Sequence, residues 1–219
     1  LEGITTDGEG DFWLASEGRS DKLIPHALYH VNDKGEIKEQ VGLPEALLDS
    51  EIRFGFEGIA MADGKLWMAM QREWQDDPKG MVKLVSYDPA EQVWGAVHYP
   101  LDAPVEGAWM GLSELTVKGD WAYAIERDNQ IADKAATKKL YRVKLADLKP
   151  AELGGALPVV AKELVHDFLP DLAVTHGYAV DKIEGFAIDA AGAGWVVTDN
   201  DGVDDSSGET LFWTIGKVE

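Results

Sequence analysis

The chain contains no cysteine. Disulfides and thiolate zinc sites are therefore excluded, although cysteine usage alone leaves the compartment open. Bases are scarce: 20 Lys and Arg stand against 40 Asp and Glu, a formal charge of −20. Such an excess repels nucleic acid and anionic membranes, and it favours solubility and divalent cations. A merely soluble acidic surface is the simpler alternative. No stretch approaches the ~18 consecutive apolar residues of a membrane-spanning helix. No signal peptide is visible either, since the chain opens on Leu1 inside a motif, which suggests a longer precursor. Amphipathic helix periodicity is nearly absent, and "LPEALLDSEIR" (43–53) is the one segment that reads as a short helix.

What is present is a repeat. At 219 residues, 45% of them hydrophobic, the chain has material for one domain with a real core. Glu2, Glu57, Glu114 and Glu184 are separated by 55, 57 and 70 residues. After each comes an apolar run, a turn (Asp7-Gly8, Asp63-Gly64, Lys118-Gly119, Ala191-Gly192) and a second apolar run. Two β-rich runs joined this way read as a hairpin. Trp13, Trp67 and Trp195 open three of the second runs, with Ala122 at that position in the third copy and Trp121 one place earlier. A third run follows each hairpin ("ALYHVN", "KLVSYD", "KLYRVK", "TLFWTI"), and three copies add a fourth ("EIKEQVGLP", "VWGAVHYP", "VAKELVHDFLP"). Four short antiparallel strands per repeat of about 40–55 residues is the pattern of a propeller blade.

The expected fold is therefore all-β: a single β-propeller domain over 1–219, with blades near 1–48, 55–102, 112–170 and 183–219. The first and last blades look incomplete. Because exposed strand edges invite aggregation, these ragged ends predict a six-bladed ring whose N-terminal blades are missing from this chain or lie on a separate one.

Hairpin geometry sets the first residue of one strand beside the last of the next. Glu2 should neighbour residues 17–19, Glu57 residues 71–73, Glu114 residues 126–128, and Glu184 the run Asp199-Asn200-Asp201. If each first strand lines the channel, all four tips share one rim, bordered by long polar loops suited to binding. Two carboxylates about 4 Å apart repel by about 1 kcal/mol in water and about 4 kcal/mol at the effective dielectric of a protein surface. Arg19, Arg72 and Arg127 could each neutralise one acid. The rest require a cation, raised pKa values or wider spacing. Oxygen-only donors point to Ca²⁺ or Mg²⁺. The alternative is structural: each Glu accepts backbone N–H bonds or pairs with an Arg at a blade junction. "TDNDGVDDSSGE" (198–209) begins like an EF-type loop, but its twelfth position from Asp199 is Thr210, so that match fails.

In "FEGIA", "LSEL" followed by "IERDN", "LYRV" and "IEGFAID…GWVVTDND", the sequence resembles the phytase-like family known as "esterase-like activity of phytase", from residue 1 to about 216. That resemblance implies a secreted or periplasmic bacterial propeller that hydrolyses a phosphoester or ester as its small-molecule partner. By similarity to propeller phytases, calcium ligands would come from Glu2, Glu57, Glu114, Glu184, Asp199 and Asp201. The metal would act as Lewis acid and water activator. Arg72 and Arg127, with Arg19 and Asn200 beside them, would hold the substrate, since guanidinium forks match phosphate oxygens. Glu57, Glu114 and Glu184 are the catalytic candidates, with His176 as general base. A second resemblance is to gluconolactonase-type lactonases, in which Glu184 with Asn200 or Asn129 would bind one ion. A third reading is a non-catalytic binding propeller.

Other residues read as structural. Ser16 and Ser113 do not fit a nucleophile elbow. His98 and His166 belong to outer strands, and His26 and His30 straddle a loop-to-strand boundary. Trp13, Trp67 and Trp195 suit an inter-blade core, whereas Trp74 and Trp109 fall on rim loops.

Overall fold

The structure, a computed structural model, describes residues 1–19, 22–174, 179, 182–200 and 210–218. Four antiparallel sheets follow one another along the chain. The first contains β1 (Gly3–Thr6), β2 (Phe12–Ser16), β3 (Ala27–Val31) and β4 (Ile37–Gly42); the second β5 (Phe56–Ala62), β6 (Lys65–Met70), β7 (Met81–Asp88) and β8 (Val93–Pro100). The third contains β9 (Met110–Lys118), β10 (Trp121–Asp128), β11 (Lys138–Lys144) and β12 (Glu163–Asp167). The fourth has three strands, β13 (Ile183–Ile188), β14 (Ala193–Thr198) and β15 (Phe212–Lys217). Each strand pairs only with its sequence neighbour, and the first strands β1, β5, β9 and β13 pack in that order. This is the all-β propeller arrangement the repeat predicted. The first blade has all four strands, with β1 only four residues long. The expected helix at 43–53 shortens to α1 (Glu45–Leu48), and a second short helix, α2 (Leu169–Ala173), precedes the fourth blade.

Blades pack through their aromatic residues and their glycines. Trp13 and Trp67 are buried in the core shared by the first three blades, and Trp13 meets Tyr87 of the next blade edge-on at 6.4 Å. In the third blade the register pairs Thr116 with Tyr123, matching Ala60 with Trp67 and Ala187 with Trp195. Tyr123, not Ala122, therefore takes the tryptophan's place, and its ring lies 5.9 Å from Phe186 of the fourth blade. Trp195 behaves differently from the first two. It stacks on Phe212 of its own blade at 5.3 Å, and Phe212 stays 67% exposed.

Neighbouring first strands of the first three blades approach closely at one position, which is glycine in β1 and β5. A Cβ on Gly58 would come within 2.1 Å of the Leu115 amide nitrogen, and one on Gly3 within 3.0 Å of the Glu57 carbonyl oxygen. The residue before each glycine is Glu2 or Glu57, so the packing that fixes the blades also fixes where the acids begin.

Gly58→Ala is expected to lower stability by about 1–3 kcal/mol through overpacking, seen in thermal melts as a Tm drop of roughly 2–4 °C per kcal/mol. Gly155→Ala, whose Cβ would meet nothing closer than 3.6 Å, should leave Tm nearly unchanged.

Candidate active site

A cavity of about 550 Å³ opens where the first strands begin. Its wall carries the carboxylates of Glu2, Glu17, Glu57, Glu184 and Asp199, together with Arg53, Arg127 and Lys182. Phe54, Gln71 and Trp109 complete it. The β-ladder explains how the strand acids arrive. Phe56 pairs with Met70 and Gly58 with Ala69, leaving Glu57 as an extra, unpaired residue. Likewise Ile183 pairs with Thr198 and Gly185 with Val197, leaving out Glu184. Each glutamate is the bulged residue of its strand, and a bulge re-aims a side chain in this way. Asp199 is held beside β13 by its amide, which donates to the Lys182 carbonyl at 3.0 Å.

The third blade departs from the pattern. Leu112 pairs with Glu126 and Glu114 with Ile125, so the extra residue is Ser113. The repeat therefore aligns Ser113 with Glu57 and Glu184, and Glu114 occupies the glycine position, which corrects the sequence alignment by one residue. The Ser113 hydroxyl donates to the Ile183 carbonyl at 2.6 Å. The Glu114 carboxylate accepts from the amides of Leu115 at 2.7 Å and Phe186 at 3.4 Å. Without a glycine there, the third and fourth blades are joined by side-chain bonds. Glu114 borders a neighbouring apolar cleft rather than the acidic cavity.

Burial and crowding set the protonation of the wall. Glu57 is 5% exposed and accepts from the Gln71 amide nitrogen at 2.5 Å. Desolvation pushes its pKa up to about 9, helped by the charges of Glu184, Glu17 and Glu2, while Arg127 only partly opposes them. At neutral pH Glu57 is a carboxylic acid. Burial also raises Glu184, against the opposing pull of Arg127 and Lys182. Arg127, 2% exposed, donates from Nη2 to Glu184 Oε1 at 2.7 Å. Burial and Glu2 raise Glu17, while Arg53 and the Phe54 amide pull it down. Glu114 rises to about 7 through burial, against its two amide donors.

The remaining candidates fall in several places. Arg72 stands over the rings of Trp109, at 4.5 Å, and Phe54, at 5.0 Å. Arg19 exchanges backbone hydrogen bonds with Ile24; neither it nor Asn200 lines the cavity. His176 and Asp201 lie outside the described residues. Trp74 is buried, its indole N–H donating to the Phe54 carbonyl at 3.1 Å. Glu17, Arg53, Phe54 and Lys182 belong to the wall without having been candidates. Glu17 sits in the tip assigned to Glu2, but Arg53 and Phe54 lead into β5, where no repeat marks them.

An oxygen-only donor set with surplus negative charge suits a hard divalent ion. The donor oxygens are nevertheless spread around the wall. Among the described residues, Asp7, Asp11 and His30 are the one group whose ligand atoms lie within 4.8 Å of one another and could hold a metal. They sit at the hairpin-turn end of the first blade. His30 Nε2 lies 3.3 Å from Asp7 Oδ2, Lys38 is bound to Asp11, and Trp13 stacks on the His30 ring at 4.6 Å.

Fold and site together define a β-propeller with an acidic cavity at the mouth of its channel. The sequence matches the family described as "Phytase-like: Esterase-like activity of phytase" over residues 1–202, and the chain belongs to that family. No curated protein is a significant match to it.

Because the folded pKa of Glu57 lies above its unfolded value, the folded state holds the extra proton. Stability should therefore fall as pH rises from about 4.5 to about 9, by at most about 1.4 kcal/mol per pH unit for this group. With EDTA present, Glu57→Gln should melt progressively higher than the parent across that window, the gap levelling off above it. Parallel melting curves from pH 5 to 9 would contradict the assignment.

Proposed function

We propose that this propeller is a hydrolase of phosphoesters or related esters, acting at the Glu57 cavity with a divalent cation, Ca²⁺ or Mg²⁺. The family and the five carboxylates on one wall support this reading. The carrying observation is the buried Glu57 carboxyl, its pKa pushed up to about 9 by burial and by the carboxylates that share its wall. An ion in contact with Glu57 would strip its proton, so Glu57 is assigned to proton donation and left out of the ligand set. Glu2, Glu184 and Asp199, whose oxygens do not lie within 4.8 Å of one another, would draw together to hold the cation, with Arg127 orienting Glu184. When bound, the cation supplies Lewis acidity and lowers the pKa of a ligated water. Glu57 delivers its proton to the leaving oxygen, which departs as a neutral alcohol. Glu17, raised by burial and by Glu2, takes the proton of the attacking water. The half-covered Trp195–Phe212 face offers a further blade an apolar surface to pack on, which supports the six-bladed ring.

The cluster of Asp7, Asp11 and His30 favours a second position for the ion, in the first blade. Calorimetry separates the two. Glu184→Gln should weaken Ca²⁺ binding, whereas Asp11→Asn should not, and the reverse result would move the ion. In a panel of p-nitrophenyl phosphate, p-nitrophenyl acetate, phytate and a γ-lactone, Glu57→Gln should retain Ca²⁺ affinity. It should lose about 10²–10⁴-fold in kcat on the phosphoesters. Lactone opening alone would favour the lactonase reading, and inactivity on all four would favour a binding propeller.

A further inference from the structure

The outer strand of the second blade is covered where the other outer strands are open. Residues 95–99 of β8 are all buried, whereas β4 is almost wholly exposed and β12 is exposed or half-buried. The cover comes from the next blade. Between β11 and β12 the chain leaves its own sheet and runs along the β8 edge. The Ala96 and Ala151 amides each donate to the other's carbonyl at 3.0 Å. Further along, the His98 amide donates to the Pro158 carbonyl at 2.8 Å and the Val160 amide to the His98 carbonyl at 2.9 Å. A Cβ on Gly95 would come within 2.9 Å of the Ala151 carbonyl oxygen, so the edge is shaped to take this segment. Leu148 and Val160 anchor it in the core, while Gly154, Gly155 and Ala156 between them are exposed. Residues 148–162 thus form a strap that covers an edge strand by pairing with it.

The strap ends in a lysine that is held on several sides. Lys162 Nζ lies 2.5 Å from Glu126 Oε2 and 2.9 Å from Asp102 Oδ1. It stands 4.1 Å from the centre of the Tyr141 ring and 5.1 Å from that of Tyr99. Two rings and two carboxylates make a cage suited to a primary ammonium ion. The cage is cross-braced. The Tyr99 hydroxyl donates to Glu126 Oε2 at 3.0 Å, the Asp102 amide to Glu126 Oε1 at 2.5 Å, and the Tyr141 hydroxyl to Asp102 Oδ2 at 2.6 Å. Asp102 has a second base, Lys139, at 3.0 Å. Glu126 is fully buried; burial raises its pKa, and Lys162 is the base that opposes the rise. Withdrawing Lys162 therefore leaves a buried carboxyl without its cation, a costly state.

Glu126 also connects the strap to the cavity. It precedes Arg127 in β10, and successive side chains of a strand face opposite ways. Glu126 faces the cage, while Arg127 lines the cavity and donates to Glu184 at 2.7 Å. We propose that the strap is a latch. With Lys162 in its cage the tip of β10 is fixed, and Arg127 with it; with Lys162 withdrawn, the strap lifts from β8 and Arg127 loses its set place on Glu184. A partner that lifts the strap would act on the cavity without entering it. The latch does not depend on the hydrolase reading, since it concerns only how the wall is held.

Hydrogen exchange and ¹⁵N arginine side-chain spectra of the full chain test this. In Lys162→Ala the Ala151 and Val160 amides should exchange about tenfold faster or more, while the amides of β5 and β6 keep their protection. The Arg127 Nε–H signal, assigned by its loss in Arg127→Lys, should shift and broaden. Propylammonium replaces the atoms that Lys162→Ala deletes and should reverse both changes; 1-propanol, similar in size but uncharged, should not. Should Lys162→Ala fail to fold, Ala151→Pro removes the amide bonded to Ala96 without touching the cage, and strap exchange and the Arg127 signal should still move together. Unchanged exchange at Ala151 and Val160, an Arg127 signal unmoved while the strap opens, or rescue by 1-propanol equal to that by propylammonium would each overturn the latch.

Discussion

Close approach of neighbouring first strands is the constraint from which the site follows. Where β5 meets β9, a single Cβ on Gly58 would strike main-chain nitrogen at 2.1 Å. A strand that must pass so near its neighbour has little freedom to place its next side chain within the ladder. The bulge at Glu57 resolves this by ejecting one residue from the pairing, and the same device recurs at Glu184. The carboxylates face the cavity because the blades fit together in this way. An acid there costs stability, and the fold bears that cost instead of filling the position with an apolar residue.

That cost appears in the protonation states. Five acids and three bases share one wall, yet they are not paired evenly: Arg127 serves Glu184, Arg53 and Lys182 act on Glu17, and Glu57 has chiefly an amide for company. The wall therefore holds Glu57 as a neutral acid at neutral pH, while burial raises Glu17 and Glu184 against the pull of nearby bases. Sites that move protons are commonly built from titratable groups whose environments push their pKa values apart. Among the described residues elsewhere, two buried clusters pair their charges directly. Lys83 lies between Asp76 and Asp77, and Asp128 is satisfied by Lys138 and by the amides of Ala136 and Thr137.

The blades were legible because each strand carries its own period-two pattern and each hairpin its glycine turn, both local properties. Burial of Trp13 and Trp67 followed from their recurrence. The one-residue error in the third blade has a physical cause: "LSEL" carries its acid one place later than "FEGI", and only the register reveals that the bulge stays fixed while the acid moves into the glycine's position. Tyr123 was missed in the same blade because a different aromatic residue fills the tryptophan's role. Arg53, Phe54 and Lys182 were invisible for another reason. They reach the wall from segments leading into strands, and the positive φ of Phe54 has no sequence marker. The meeting of Glu2, Glu57, Glu184 and Asp199 at one cavity could be anticipated from hairpin geometry, but the raised pKa of Glu57 depends on burial that only the packed blades create.

The account depends on Glu57 being a buried neutral acid on a wall shared with four other carboxyl groups. The most direct measurement is a titration of its side-chain carboxyl by ¹³C NMR in glutamate-labelled protein with EDTA, assigned by comparison with Glu57→Gln. A protonated signal at neutral pH, with a midpoint near 9, is the expected result. A midpoint near the ordinary glutamate value of about 4.3 would contradict it.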